Sequence, residues 1–142
     1  MSIQVEVANR SRWTVDEAAA ADVLRAALEA EGIEHGEVGL AVVEPDEMAG
    51  LNAQYRRRRD ATDVLSFPVD GSDPLPPGMP RQLGDLVVCP AVAELEGTPL
   101  AVLLVHGALH LVGYDHETDD GRMLRRQAEL IEEVGGVAAS AP

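Results

Sequence analysis

The segment 106–116, HGALHLVGYDH, holds three of the four histidines in a chain of 142 residues. Neutral imidazole is a nitrogen donor suited to zinc and similar divalent ions. His106 and His110 lie four apart, so on a helix they project from one face a single turn apart. That is the spacing by which two imidazoles grip one ion. Residues 100–112 carry no charge, which predicts a helix that is apolar all round and buried in the centre of the domain. Two imidazoles in such a place need partners, because an unpaired buried polar group costs about 1–3 kcal/mol. Gly113 supplies the left-handed cap that ends the helix, and the turn GYD brings His116 round towards the same face. A single buried histidine is usually a core residue with a satisfied hydrogen bond, and His35, between Glu34 and Gly36, reads as a loop residue. Three on this spacing with a turn glycine point to a metal centre. Without a fourth cysteine or histidine nearby, three nitrogens leave one coordination position open, as catalytic zinc sites do.

Written out, the pattern is H-x-x-x-H-x-x-G-x-x-H, which resembles the ligand skeleton of the metzincin metalloenzymes. One position differs. Where those peptidases carry a general-base glutamate directly after the first histidine, this chain has Gly107. The cradle for a metal is present and the peptidase base is missing.

The elements that must position this segment can be read from periodicity and breakers. Residues 3–9, IQVEVAN, alternate as a half-buried strand does. Thr14 and Glu17 fit a capping box, opening a helix through Glu31 with Val15, Ala18, Ala19, Val23, Ala26 and Ala27 inward and Gly32 as its stop. Residues 37–44 form a second strand, and Pro45 opens a helix over 45–58. TDVLSFP (62–68) is a third strand, and the Pro- and Gly-rich residues 70–83 are a loop. GDLVVCP is a fourth strand, followed by a short helix in PAVAELEG. Thr98 and Pro99 read as N-cap and first residue of the histidine-bearing helix. A last amphipathic helix in TDDGRMLRRQAELIEEVGG turns Met123, Leu124, Leu130 and Ile131 inward. The fold class is therefore α+β. A single domain over residues 1–136 has about four strands in one mixed sheet and about four helices, and residues 137–142 are a frayed tail.

Composition sets limits on partners. Hydrophobic residues make up 46% of the chain, which suits a globular protein. The N-terminus lacks a basic segment followed by an apolar run, so no signal peptide is read there, and residues 100–112 are too few for the roughly 20 that cross a membrane. One cysteine, Cys89, excludes an internal disulfide and fits a reducing, cytoplasmic compartment; in the strand-like DLVVC it reads as a buried thiol, not a nucleophile. The net charge of −14 repels a polyanion at long range. Lysine is absent, and four of the eleven cationic residues are consecutive, Arg56 to 59. Nucleic acid would have to bind at a local patch against an unfavourable field.

HGALHLVGYDH together with LNAQYR (51–56), TDVLSFP and GDLVV (84–88), in that order, resembles the YbeY family of bacterial endoribonucleases. The resemblance covers positions 51–116, and the histidine block with TDVLSFP is its most specific part. It implies a metzincin-like α+β fold and a zinc-dependent, single-strand-specific endoribonuclease acting on ribosomal RNA, notably at the 3′ end of the small-subunit RNA, and in ribosome quality control. His106, His110 and His116 match the family's metal ligands, implying one zinc per chain. Arg56 matches an arginine regarded as essential there. Two departures stand out: residues 89–106 are shorter than usual, which would trim a helix and reshape one cleft wall, and the arginine run is more basic.

Residue chemistry fits this implication. Three nitrogen ligands let zinc lower the pKa of its water to roughly 7, so no strong protein base is required. The charge developing on the phosphoryl oxygens needs a cation, and the planar fork of Arg56 can meet two oxygens at once. The plainer reading of residues 56–59, a solvated helix end favoured by the dipole, suits at least two of the four. Asp63 and Asp85 read as turn and strand-end residues, with support of a ligand histidine as the alternative. Two rival functions remain: a metallohydrolase of peptides, using a glutamate such as Glu117, and a non-catalytic zinc-bearing module associated with the ribosome. The acidic surface fits basic ribosomal proteins or ribosome-associated factors as partners better than unaided capture of RNA.

Overall fold

Four strands build one mixed sheet in the computed structural model, which describes residues 2–56 and 61–142. The elements run β1 (Ile3–Asn9), β2 (Thr14–Val15), α1 (Glu17–Ala30), β3 (Gly36–Val42), α2 (Pro45–Arg56), β4 (Val64–Pro68), β5 (Gln82–Val88), α3 (Pro90–Glu96), α4 (Leu100–Leu111), α5 (Arg122–Glu133) and β6 (Ala139–Ser140). The sheet order is β1-β3-β5-β4. β1, β3 and β5 are parallel, whereas β4 runs antiparallel to β5 and forms an edge. α1 is the crossover that a parallel β1–β3 pair requires. The class is α+β with a four-stranded mixed sheet, as expected, with five helices among the described residues instead of about four.

Alternation along β5 explains the two cores. Leu86 and Val88 face α1 and α4 in the larger apolar cluster, while Val87 faces the other way, towards Met48 of α2 and Leu65 of β4. α4 fills the middle of the larger cluster with eight buried residues, among them Leu103, Leu104 and Leu109. Without a charged side chain, it has no face that water would stabilise, and it sits against α1, α5, β4 and β5.

Several local readings shift. The cap of α1 is Asp16, whose carboxylate accepts from the N–H of Ala19; Thr14 is instead held in β2. The inward stripe of α1 is Ala20, Val23, Leu24, Ala27 and Leu28, with Ala18 and Ala26 exposed, because the larger Leu side chains take the core. Pro99 itself is the N-cap of α4, so Thr98 lies outside it. β4 starts at Val64, and β5 takes Gln82 and Leu83 from the expected loop. In α5, Met123 and Leu130 are buried but Leu124 is exposed; it lies one residue past Met123, off the inner stripe. The tail expected to fray carries β6, which pairs antiparallel with β2, Thr14 opposite Ser140 and Val15 opposite Ala139. The N–H of Asp16 also donates to the Ala138 carbonyl at 2.9 Å. The expected helical residues 57 and 58, and Arg59, lie outside the described residues.

Candidate metal centre

The last two turns of α4 carry His106 and His110 out of the core to the side of edge strand β4. Their ring centroids are 4.7 Å apart, the consequence of four-residue spacing on one face. Gly113 then turns the chain with φ +103°. Its N–H donates to the His110 carbonyl at 3.1 Å, and the N–H of Tyr114 donates to the Leu109 carbonyl at 3.0 Å, a Schellman closure. In the following turn the Asp115 carboxylate accepts from the N–H of Glu117, and its carbonyl accepts from the N–H groups of Thr118 and Asp119. This turn sets the His116 ring 5.2 and 5.4 Å from the other two.

One nitrogen from each histidine lies within 4.8 Å of the other two. The donor set can be tested on hydrogen bonding alone. His110 Nδ1 is 2.9 Å from the Tyr114 carbonyl, and His106 Nδ1 is 2.7 Å from Gln127 Oε1 on α5. A carbonyl oxygen can only accept, so both Nδ1 atoms carry the proton and both Nε2 atoms keep a lone pair for a ligand. Such partners are what orient metal-binding histidines. Burial, and next the neighbouring His106, push the His110 pKa down, which keeps it neutral and able to ligate. The residues therefore fit a divalent ion bound by three nitrogens.

The turn that carries His116 is tied to two helices. The Tyr114 ring lies 4.8 Å from the guanidinium carbon of Arg122. Burial raises the Tyr114 hydroxyl pKa, as does its hydrogen bond to Glu31. Glu31 in turn pairs with Arg126 at 2.6 Å. α1, the turn and α5 thus meet behind the ligands.

A cleft of about 560 Å³ separates the histidines from β4 and the end of α2. Arg56 and the buried Asn52 line it from α2, and Asp63 and Ser66 line it from the β4 side. Arg56 thus faces the same space as the three ligands. Glu117 also lines the cleft, but the converging group holds no carboxylate among the described residues. Asp85 is elsewhere, exposed on the opposite side of the sheet beside Gly39. The Asp63 carbonyl accepts from the N–H of Cys89 at 2.8 Å, and its carboxyl raises the pKa of Glu96; neither aspartate holds a ligand histidine. Cys89 is fully buried, and burial pushes its thiol up. His35 sits in the bend before β3. The short 89–106 segment still holds all of α3, and no α3 residue lines the cleft.

Position 107 explains the missing glutamate. A Cβ built on Gly107 would lie 2.0 Å from Leu86 Cδ2 and 3.4 Å from Ser66 Oγ. The glycine lets α4 approach β5, and any longer side chain would have to displace the buried Leu86. Gln127 escaped the sequence reading because it is 21 residues from His106 and only the packing of α5 on α4 brings it there.

Comparison with known proteins gives one answer. The family model described as Endoribonuclease YbeY matches residues 6–135. The Endoribonuclease YbeY of Acidothermus cellulolyticus is 38% identical over 145 residues, covering 89% of this chain and 88% of that protein. The one from Halorhodospira halophila is 47% identical over 106 residues, 66% of each chain. Among solved structures, that of TM1509 from Thermotoga maritima superposes with a TM-score of 0.59 at 27% identity, covering 92% of this chain and 88% of that one.

Proposed function

The chain belongs to the YbeY family of endoribonucleases, and from that premise we propose that it hydrolyses phosphodiester bonds in single-stranded ribosomal RNA, using one zinc held by His106, His110 and His116. The reading extends to processing at the 3′ end of the small-subunit RNA and to ribosome quality control in the cytoplasm. The observation that carries it is the convergence of three histidine nitrogens on one side of a cleft that Arg56 lines on the other. When bound, a zinc with three nitrogen ligands supplies a Lewis acid and a water acidified to a pKa of roughly 7.

The chain's own residues do the rest. Gln127 and the Tyr114 carbonyl hold the two helix imidazoles in the ligating tautomer. Arg56, an exposed guanidinium at the last turn of α2, meets the phosphoryl oxygens, where negative charge grows as the attacking oxygen bonds to phosphorus. Its planar fork suits two oxygens at once. Peptide cleavage is disfavoured, because a base at position 107 would have to displace the buried Leu86, and Glu117 stands outside the converging group. The charge of −14 favours delivery through basic ribosomal proteins over unaided capture of free RNA.

The test is cleavage of a single-stranded ribosomal RNA fragment by wild type, His110→Ala and Arg56→Ala proteins, purified side by side and assayed for metal. Wild type should hold about one zinc and cut. The His110 variant should lose both, and the Arg56 variant should keep metal and lose cutting. Equal cutting by all three would mean a contaminating nuclease and would overturn the reading.

A further inference from the structure

We propose that Tyr55 and Phe67 form a base-stacking subsite at the rim of the cleft, taking the nucleobase of an unpaired nucleotide beside the phosphate that Arg56 meets. The proposal rests on the ribonuclease reading and names the residues that would recognise an unpaired base.

The chain has one Trp, two Tyr and one Phe. Trp13 and Tyr114 are partly buried against the main core. Tyr55 is 58% exposed and is the one aromatic among the exposed large apolar side chains of the described residues. Its ring meets Phe67 edge to face, with centroids 5.1 Å apart and planes at 70°. Such a contact occupies at most one face of each ring, so Tyr55 keeps a face for a second partner. Phe67 packs at the margin of the smaller apolar cluster, which anchors the pair while leaving Tyr55 in water.

Position links this pair to the reaction. Tyr55 directly precedes Arg56, and Phe67 stands between Ser66 and Pro68; Arg56, Ser66 and Pro68 all line the cleft. Phe67 itself alternates to the face of β4 that packs against α2, which sets the pair beside the cleft and not in its lining. Among the described residues β4 pairs only on its β5 side, and no other strand covers the opposite edge.

Charge gives the pair a purpose. A protein of net charge −14 cannot hold a polyanion through its long-range field, whereas stacking on an aromatic face is indifferent to sign and to salt. In a duplex both faces of a base are covered by its neighbours, so an aromatic shelf of this kind accepts unpaired nucleotides. Base–aromatic stacking changes affinity by about 5- to 150-fold per base.

The test uses the full metal-loaded chain with Tyr55→Ala, Tyr55→Leu and Tyr55→Trp. Leu keeps the apolar cover over Phe67 and removes the π face; Trp keeps the face. Ala and Leu should both raise KM for single-stranded RNA by about 5-fold or more, a larger effect than on kcat, with zinc content unchanged, and Trp should restore KM. The dependence of log K on log salt should keep its slope in the Tyr55 variants, whereas Arg56→Ala should flatten it by about 0.7. A Leu variant equal to wild type would show apolar cover alone and overturn the proposal. Quenching of Tyr55→Trp fluorescence by a short oligoadenylate, with Trp13 emission measured in wild type, requires no cleavage. Quenching without cutting by wild type would sink the ribonuclease reading and leave the subsite standing. Cutting without quenching would do the reverse.

Discussion

The two walls of the cleft are built on opposite plans. On one side, His106 and His110 extend from α4, a helix with eight buried residues at the centre of the main core, and each has its Nδ1 tied to a carbonyl oxygen. On the other, Arg56 is exposed on the last turn of α2, opposite the edge strand β4. The first wall owes its geometry to core packing, so the proposed metal site and the fold depend on the same helix. The second sits at the periphery, where a side chain can change without disturbing the core. The arrangement of the three histidines is thus settled by folding, and the opposite wall is left adjustable.

That contrast fails or sharpens under substitution. The largest effect should come from His110→Ala, which removes one ligand and takes RNA cleavage to background, with zinc content by elemental analysis falling alongside. Arg56→Ala should lower kcat by about 10²–10³ while zinc content and melting temperature stay at wild-type values; a loss of metal here would show that the two walls are not independent. Gln127→Leu should weaken zinc binding by about 10- to 100-fold in a chelator competition, since the helix imidazole loses its acceptor; unchanged affinity would mean that α4 packing alone orients the ring. The smallest effect is one of pH. The folded His110 pKa lies below its ordinary 6.5, chiefly through burial. As pH falls below about 6.5 the unfolded chain takes up a proton that the folded chain resists, so metal-free protein should lose stability there and show no such dependence well above it. Denaturant unfolding of wild type and His110→Asn across that range reads the difference, and an identical slope for both would assign the effect to other groups.

The metal wall was legible in sequence because its signals are local. A four-residue spacing, an uncharged helix and a turn glycine each act within one or two turns of chain, and the structure brings the three histidines together. Gln127 was not legible, since it depends on how α5 lies across α4. The cap of α1 is ambiguous in sequence because Thr14 and Asp16 are both competent caps, and the pairing of Thr14 with Ser140 leaves Asp16 to cap the helix. That same two-residue ladder, far too short for any periodicity, turned an expected frayed tail into β6. In sequence Tyr55 is only a letter of LNAQYR; its exposure and its contact with Phe67 exist only once α2 and β4 are side by side.

The close approach at Gly107 bears on redesign as well as on chemistry. A peptidase base placed after the first histidine on this backbone would have to displace the buried Leu86 side chain before it could serve any substrate. The helix and the sheet would have to separate first, at the expense of the core on which the ligands stand.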